Sequence, residues 1–130
     1  MKEWINTVFS VITTTFIYLV GGIDTAIITL LIMMCFDYVT GIISAIYNKK
    51  LSSKIGFKGI LKKVLMLIIV AVSTLIDRLV GESGAIRTVV VYYYVANEGI
   101  SILENLVECN VKFPKKLVEI LDQISKKGDE

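Results

Sequence analysis

The chain has 130 residues, of which 55% are hydrophobic and 20% charged, with a formal net charge of +2 and no histidine. Its apolar residues fall in long blocks rather than being dispersed as in a soluble domain, so the composition favours a single integral membrane domain. A nucleic-acid-binding module would need a folded basic face, and none remains once the apolar blocks are removed.

Enzyme classes are disfavoured from the start. The absence of histidine removes the commonest metal ligand and the commonest general base. Cys35 lies inside an apolar block and Cys109 just beyond another, a spacing that suits neither a zinc site nor a stapled secreted scaffold. No phosphate-binding loop, C-x-x-C pair or hydrolase nucleophile motif is found. We therefore predict two reduced thiols and no catalytic, cofactor or metal site.

Four apolar segments predict membrane spans at residues 4–20, 23–47, 64–80 and 85–107. The first covers roughly 25 Å at 1.5 Å per residue and is the most polar. One of its helical faces carries Asn6, Ser10, Thr13 and Thr14. Its length and the lack of an A-x-A-like cleavage site favour a retained span over a signal peptide. The predicted fold is therefore an all-α integral membrane protein with about four transmembrane helices.

Two further helices are predicted outside these spans. The cytoplasmic loop 48–63 is basic and has no acidic residue, and its interspersed apolar residues predict a short interfacial helix lying on anionic headgroups. Its lysines are Lys49, Lys50, Lys54, Lys58, Lys62 and Lys63. In the tail, 108–130, Pro114 marks the start of a short amphipathic helix.

The distribution of charge predicts the orientation. All of the 14 basic residues except Arg78 and Arg87 fall on one side of a four-span arrangement. The positive-inside rule then places the N-terminus, the basic loop and the C-terminal tail in the cytoplasm. Arg78 and Arg87 lie at the outer ends together with Asp24, Asp77 and Glu82. There, ion pairs and independently solvated charges are both compatible with the sequence.

Asp37 and Glu98 lie inside predicted spans that run in the same direction, at nearly the same distance from their outer ends. An acidic side chain at the centre of a span costs about 2.5–3.5 kcal/mol on insertion scales, so each must face protein or water, or be protonated. Each also heads a polar stripe at helical spacing. The stripes comprise Asp37, Thr40, Gly41 and Ser44 on the second span and Tyr94, Asn97, Glu98, Ser101, Glu104 and Asn105 on the fourth. Such stripes are typical of helix–helix contacts or of the wall of an aqueous lesion, and the sequence leaves both open.

Several short motifs occur in order over roughly residues 30 to 125. They are Asp37-Tyr38-Val39-Thr40-Gly41, Ser53, Gly56-x-x-Gly59-x-x-Lys62-Lys63, Asp77, and Asn97-Glu98-Gly99-Ile100-Ser101-Ile102-Leu103-Glu104-Asn105, with Pro114 and its lysines behind. With these motifs the chain resembles the phage lysis and toxin-secretion holins, the family that includes the clostridial toxin-release holin. The first span contributes little to the resemblance.

The resemblance implies a protein that accumulates in the host cytoplasmic membrane, associates with copies of itself and opens lesions. A cell-wall hydrolase (an endolysin) or a toxin then leaves the cell. Such proteins have no active site and no cofactor. Carried over by position, the expected assembly and lesion residues are Asp37, Thr40, Gly41, Asn97, Glu98, Ser101, Glu104 and Asn105. The loop lysines are expected to hold the topology.

Two other functions compete with this reading: a small multi-span transporter or channel, and a lysis regulator that forms no pore. The membrane glutamate of small proton-coupled transporters would lie in the first span, where this chain has only Glu3 at its very start. An ordered channel needs a ring of filter residues or a re-entrant loop, and the sequence shows neither. A regulator would fail to permeabilise cells on its own.

Overall fold

Five helices make up the protein in the computed structural model, which describes residues 1–81 and 83–129 and side chains as far as residue 126. The helices are α1 (Lys2–Val20), α2 (Thr25–Tyr47), α3 (Ser53–Val80), α4 (Ala85–Glu108) and α5 (Lys115–Asp129). The described residues contain no strand, and the all-α prediction is confirmed.

Local signals explain where the helices begin and end. Gly21 and Gly81 end α1 and α3 in the left-handed conformation, with φ of 84° and 74°, which residues with a Cβ rarely adopt. Asp24 caps α2 by accepting a hydrogen bond from the Ile27 amide, and Ser52 caps α3 in the same way. The helices are therefore joined by short turns and lie side by side.

Three helices are long and apolar enough to cross a membrane, judged by length and composition: α1, α2 and α3. They contain the predicted spans 4–20 and 64–80 and all but the first two residues of the span 23–47. The fourth predicted span, 85–107, forms α4 but is not one of the three, because charged and polar side chains interrupt its apolar sequence. The structure thus supports a multi-pass membrane protein, and the prediction of four spans is not confirmed.

The basic loop differs from its prediction. No separate interfacial helix forms over 48–63, because α3 begins at Ser53 and continues without a break to Val80. The Ser52 cap starts the helix, and the chain meets no residue that ends it before Gly81. Lys54, Lys58 and Lys62 are exposed on the first turns of this long helix.

The core lies where α2, α3 and α4 meet. Its buried members are Val20, Ile27, Leu30, Met34, Met66, Val70, Val91 and Val95. Helices α2 and α4 run in the same direction, since Arg87 pairs with Asp24 near their starts and Glu108 binds Ser44 near their ends. Large apolar side chains such as Ile32, Phe36 and Leu65 remain about half exposed on the outer faces. Exposed apolar surface on this scale fits contact with lipid.

A polar layer ties together the ends of α1 and α3 and the starts of α2 and α4. Arg87 forms an ion pair with Asp24 (Nη1–Oδ2 2.8 Å) and donates hydrogen bonds to the carbonyls of Val20 and Gly22. This guanidinium holds the pKa of Asp24, in the turn before α2, below its ordinary value, so the pair is intact at neutral pH. Of the two arrangements that the sequence left open, Asp24 and Arg87 adopt the ion pair.

The other charged residues described in this layer, Asp77 and Arg78, bind backbone groups rather than each other. The buried Asp77 carboxylate accepts hydrogen bonds from the amides of Ile86 and Arg87 at 3.0 and 2.8 Å, and so caps α4 from a neighbouring helix. Arg78 donates to the Tyr18 carbonyl and lies over the Tyr18 ring, 3.8 Å from its centroid. Glu82 lies outside the described residues.

The amphipathic C-terminal helix is confirmed as α5, which begins directly after Pro114. It packs along α4 rather than extending away as a free tail. Gly99 permits this contact, because a Cβ there would lie 2.6 Å from Leu121 Cδ2 and 3.0 Å from Met33 Cε.

The cap that Asp77 provides gives a stability prediction. Asp77→Ala leaves two buried amide groups without their acceptor, and we expect the free energy of unfolding to fall by about 2–4 kcal/mol. Asp122→Ala, an aspartate change on the exposed face of α5, is the control and should cost less than about 0.5 kcal/mol. Thermal unfolding in detergent micelles, followed by circular dichroism, measures both, and equal losses would refute the capping role.

Candidate functional site

One lysine joins three helices near the middle of the bundle. Lys63 Nζ on α3 lies 2.7 Å from Asp37 Oδ2 on α2 and 2.7 Å from Glu98 Oε2 on α4. The Glu98 side chain is only 4% exposed, and those of Asp37 and Lys63 are 14% and 17% exposed. The two carboxylates therefore lie at one depth, as predicted, and they share a single counter-ion.

Asn105 extends this cluster toward the ends of α2 and α4. Its Nδ2 donates to Asp37 Oδ1 at 3.1 Å, to the Asp37 carbonyl at 3.2 Å and to Thr40 Oγ1 at 2.9 Å. A Cβ on Gly41 would lie 3.6 Å from this amide, so the glycine gives Asn105 room beside α2. The inner polar cluster, as we use the term, comprises Asp37, Thr40, Lys63, Glu98 and Asn105.

A second group of hydrogen bonds closes the ends of α2 and α4. Ser44 donates to the Glu108 carboxylate, and Asn48 Nδ2 donates to the Glu108 carbonyl at 3.3 Å. Asn48 Nδ2 also donates to the Ser44 carbonyl at 2.9 Å. These contacts fix α2 and α4 relative to each other near their C-terminal ends.

The cluster borders a cleft of about 400 Å³ between α2, α3 and α4. Most of the polar lining of the cleft lies on α4, and most of its apolar lining lies where α2 meets the start of α3. Its polar lining consists of Asp37, Lys62, Lys63, Asn97, Glu98, Ser101, Glu104 and Asn105.

The glycine spacing in α3 shapes the apolar side of the cleft. Gly56 and Gly59 lie one turn apart, and the Tyr38 side chain lies against both. A Cβ at Gly56 would be 3.3 Å from the Tyr38 hydroxyl oxygen, and a Cβ at Gly59 would be 3.6 Å from its ring. The Gly56-x-x-Gly59 motif thus lets α3 approach α2 closely enough for Lys63 to reach Asp37.

The structure brings the predicted assembly residues together. Asp37, Gly41, Asn97, Glu98, Ser101, Glu104 and Asn105 all line the cleft, and Thr40 binds Asn105 beside it. Their grouping is a matter of geometry, and their part in assembly stays a prediction. The loop lysines divide, since Lys49, Lys50, Lys54, Lys58 and Lys62 are exposed whereas Lys63 belongs to the inner polar cluster.

Sequence reasoning missed the role of Lys63 and the contact between Ser44 and Glu108. One signal was available for Lys63: it is the last lysine before the continuous apolar run that starts at Val64. A lysine at that border reaches into the bundle if a carboxylate on a neighbouring helix awaits it. For Ser44 and Glu108, the sequence does not reveal how α2 and α4 align.

The inner polar cluster is a set of ion pairs and hydrogen bonds that joins helices. Two carboxyl groups share one ammonium, and the Asn105 amide donates a further hydrogen bond to Asp37. The described residues contain no group of three potential metal-binding side chains. The cluster can hold three helices together, and it can line water if they separate.

Comparison with known proteins identifies relatives of this chain. A family model described as the bacteriophage holin family matches residues 14–126. An uncharacterised 14.9 kDa protein of Clostridium perfringens is 42% identical over 115 residues, covering 88% of this chain and 87% of that protein. An uncharacterised protein of Listeria innocua is 43% identical over 116 residues, covering 87% and 81%. A probable holin of Bacillus phage phi105 is 34% identical over 101 residues, covering 78% and 75%. No solved structure matches.

Lys63 gives the second stability prediction. Lys63→Met leaves two neighbouring carboxylates without their counter-ion, and we expect a loss of about 3–5 kcal/mol in the free energy of unfolding in micelles. Lys62→Met, an exposed neighbour that also lines the cleft, should change stability by less than about 0.5 kcal/mol. Adding Glu98→Gln to Lys63→Met should recover part of the loss, because one uncompensated charge is removed. Equal effects of the two lysine changes would contradict the stabilising role of Lys63.

Proposed function

Since the chain belongs to the bacteriophage holin family, we propose that it associates with copies of itself in the bacterial cytoplasmic membrane and opens lesions there. The lesions release a cell-wall hydrolase, which causes lysis, or a toxin. Holins are membrane proteins and not enzymes, which accords with a chain whose sequence offers no catalytic motif.

The inner polar cluster is the observation that carries this proposal. Within one chain, Lys63, Asp37 and Glu98 satisfy one another, so the closed bundle presents mainly apolar surface to lipid. If α4 moves away from α2 and α3, the same polar groups become available to water. A bundle with a lipid-compatible outside and a polar inside has the surfaces that a lesion requires.

We include α4 as a fourth span in this proposal. Its 24 residues cover roughly 36 Å, more than the ~30 Å of hydrocarbon. It runs beside α2 from the Asp24–Arg87 pair to the Ser44–Glu108 hydrogen bond, so a membrane that surrounds α2 also surrounds α4. The charged side chains that lower its hydropathy are bound within the bundle at Arg87 and Glu98. With four spans, both termini lie on the same side of the membrane, and the positive-inside rule makes that side the cytoplasm.

An induction curve in a bacterial host tests the proposed function. We expect abrupt loss of growth and of membrane potential when the protein is expressed alone, with lysis only when a signal-less cytoplasmic murein hydrolase is expressed with it. The hydrolase alone is the control and should leave cells intact. Steady growth with an intact potential would refute the lesion proposal and favour a transporter or a regulator.

Glu98→Gln tests the part that the inner polar cluster plays in timing. The change leaves Lys63 paired with Asp37 and replaces its second carboxyl partner by a neutral amide, so we expect lysis to be delayed or abolished. Glu119→Gln is the control, because Glu119 is exposed on α5, lies outside the cleft and forms no ion pair among the described residues. Identical lysis times for both variants and the unchanged protein would exclude the cluster from triggering.

A further inference from the structure

Helix α1 is the least buried of the membrane-spanning candidates. Val20, at its end, is its only buried residue, and Phe16 packs partly against the core. Most of its contacts with the bundle are made with α3, and Arg87 of α4 binds the Val20 carbonyl at its end. Most of the surface of α1 is therefore left uncovered by the described part of the chain.

One face of this helix is polar along most of its length. At about 100° per residue, Asn6, Ser10, Thr13 and Thr14 lie on one side, and all four are exposed. None of the four makes a side-chain hydrogen bond within the described part of the chain, whereas the nearby Thr7 hydroxyl donates to the Glu3 carbonyl at 2.9 Å. An asparagine amide facing hydrocarbon is costly, so this face favours a polar partner.

Much of the other polar stripes is bound within the bundle. Asp37, Glu98 and Asn105 are bound in the inner polar cluster. Ser44 and Glu108 are bound to each other, whereas Asn97 and Glu104 face the cleft. The face of α1 that carries Asn6, Ser10, Thr13 and Thr14 is thus a polar surface outside the cleft that the closed bundle leaves open.

We propose that copies of this chain associate through that face of α1, an inference that rests on the proposed self-association. Amide and hydroxyl groups both donate and accept hydrogen bonds, so the same face on a second chain can satisfy it. Copies inserted in one orientation lie parallel, which brings equivalent residues to the same depth. The partner is therefore a second copy of this chain rather than one of unlike sequence.

Charge at the start of α1 is complementary in the same arrangement. By helical spacing, Lys2 lies at one edge of the polar face and Glu3 at the other, and both are exposed. When parallel copies meet side by side, Lys2 of one chain faces Glu3 of the next. Such a contact is two-fold symmetric, with the Lys2–Glu3 pairing repeated on both flanks of the polar face, and it joins two copies.

Disulfide cross-linking in membranes tests this interface. Cys35 and Cys109 are first replaced by alanine, and the cysteine-free protein is checked for permeabilisation. Single cysteines are then introduced as Ser10→Cys, on the polar face, and Val8→Cys, an exposed position on the opposite face. On mild oxidation we expect several-fold more cross-linked dimer from Ser10→Cys than from Val8→Cys.

A charge exchange provides the second measurement. Lys2→Glu and Glu3→Lys should each reduce the Ser10→Cys cross-link, and the two together should restore it. Equal cross-linking at Ser10→Cys and Val8→Cys, in protein that still permeabilises cells, would overturn the interface and leave the proposed function standing. Selective cross-linking without permeabilisation would support the interface and count against the proposed function.

Discussion

The fold depends on one lysine that two carboxylates share. Lys63 holds Asp37 and Glu98 at 2.7 Å each and so joins α2, α3 and α4 at a single level. Buried charges are tolerated only when they are paired and hydrogen-bonded, and removing one partner costs more than the pair contributes. This constraint explains the local features around it: the Gly56-x-x-Gly59 approach to Tyr38 and the room that Gly41 leaves for Asn105.

A second polar layer lies where α1 and α3 end and α2 and α4 begin. Asp77, near the end of α3, binds amides in the first turn of α4, and Arg87 binds the end of α1 and the cap of α2. Lys63 and Asp77 are separated along α3 by roughly 21 Å. Between the two layers lies the apolar core of Val70, Val91 and their neighbours. The bundle is thus joined by polar contacts on both sides of its apolar core. Since most contacts of α1 with the bundle are with α3, α1 has the greatest freedom to meet another chain.

Much of this arrangement could be predicted from the sequence, because hydropathy and charge distribution report directly on contact with lipid. The four long helical segments, the amphipathic tail and the common depth of Asp37 and Glu98 were predicted correctly. The separate loop helix was wrong, because a basic segment can continue into a span when a cap such as Ser52 starts the helix early. The role of Lys63 was missed because a lysine at the border of a span can either mark the cytoplasmic side or pair with a carboxylate on a neighbouring helix. Only the alignment of the helices distinguishes these two roles.

We propose that α4 crosses the membrane, despite its polar residues, because contacts within the bundle bind its charged side chains. The most direct measurement is labelling of one cysteine at the C-terminal side, introduced as Lys126→Cys in the cysteine-free protein, with a membrane-impermeant maleimide before growth declines. A four-span bundle predicts labelling only after the cells are opened, because the tail is cytoplasmic. Labelling in intact cells would place the tail outside, as three spans require, and would contradict the account.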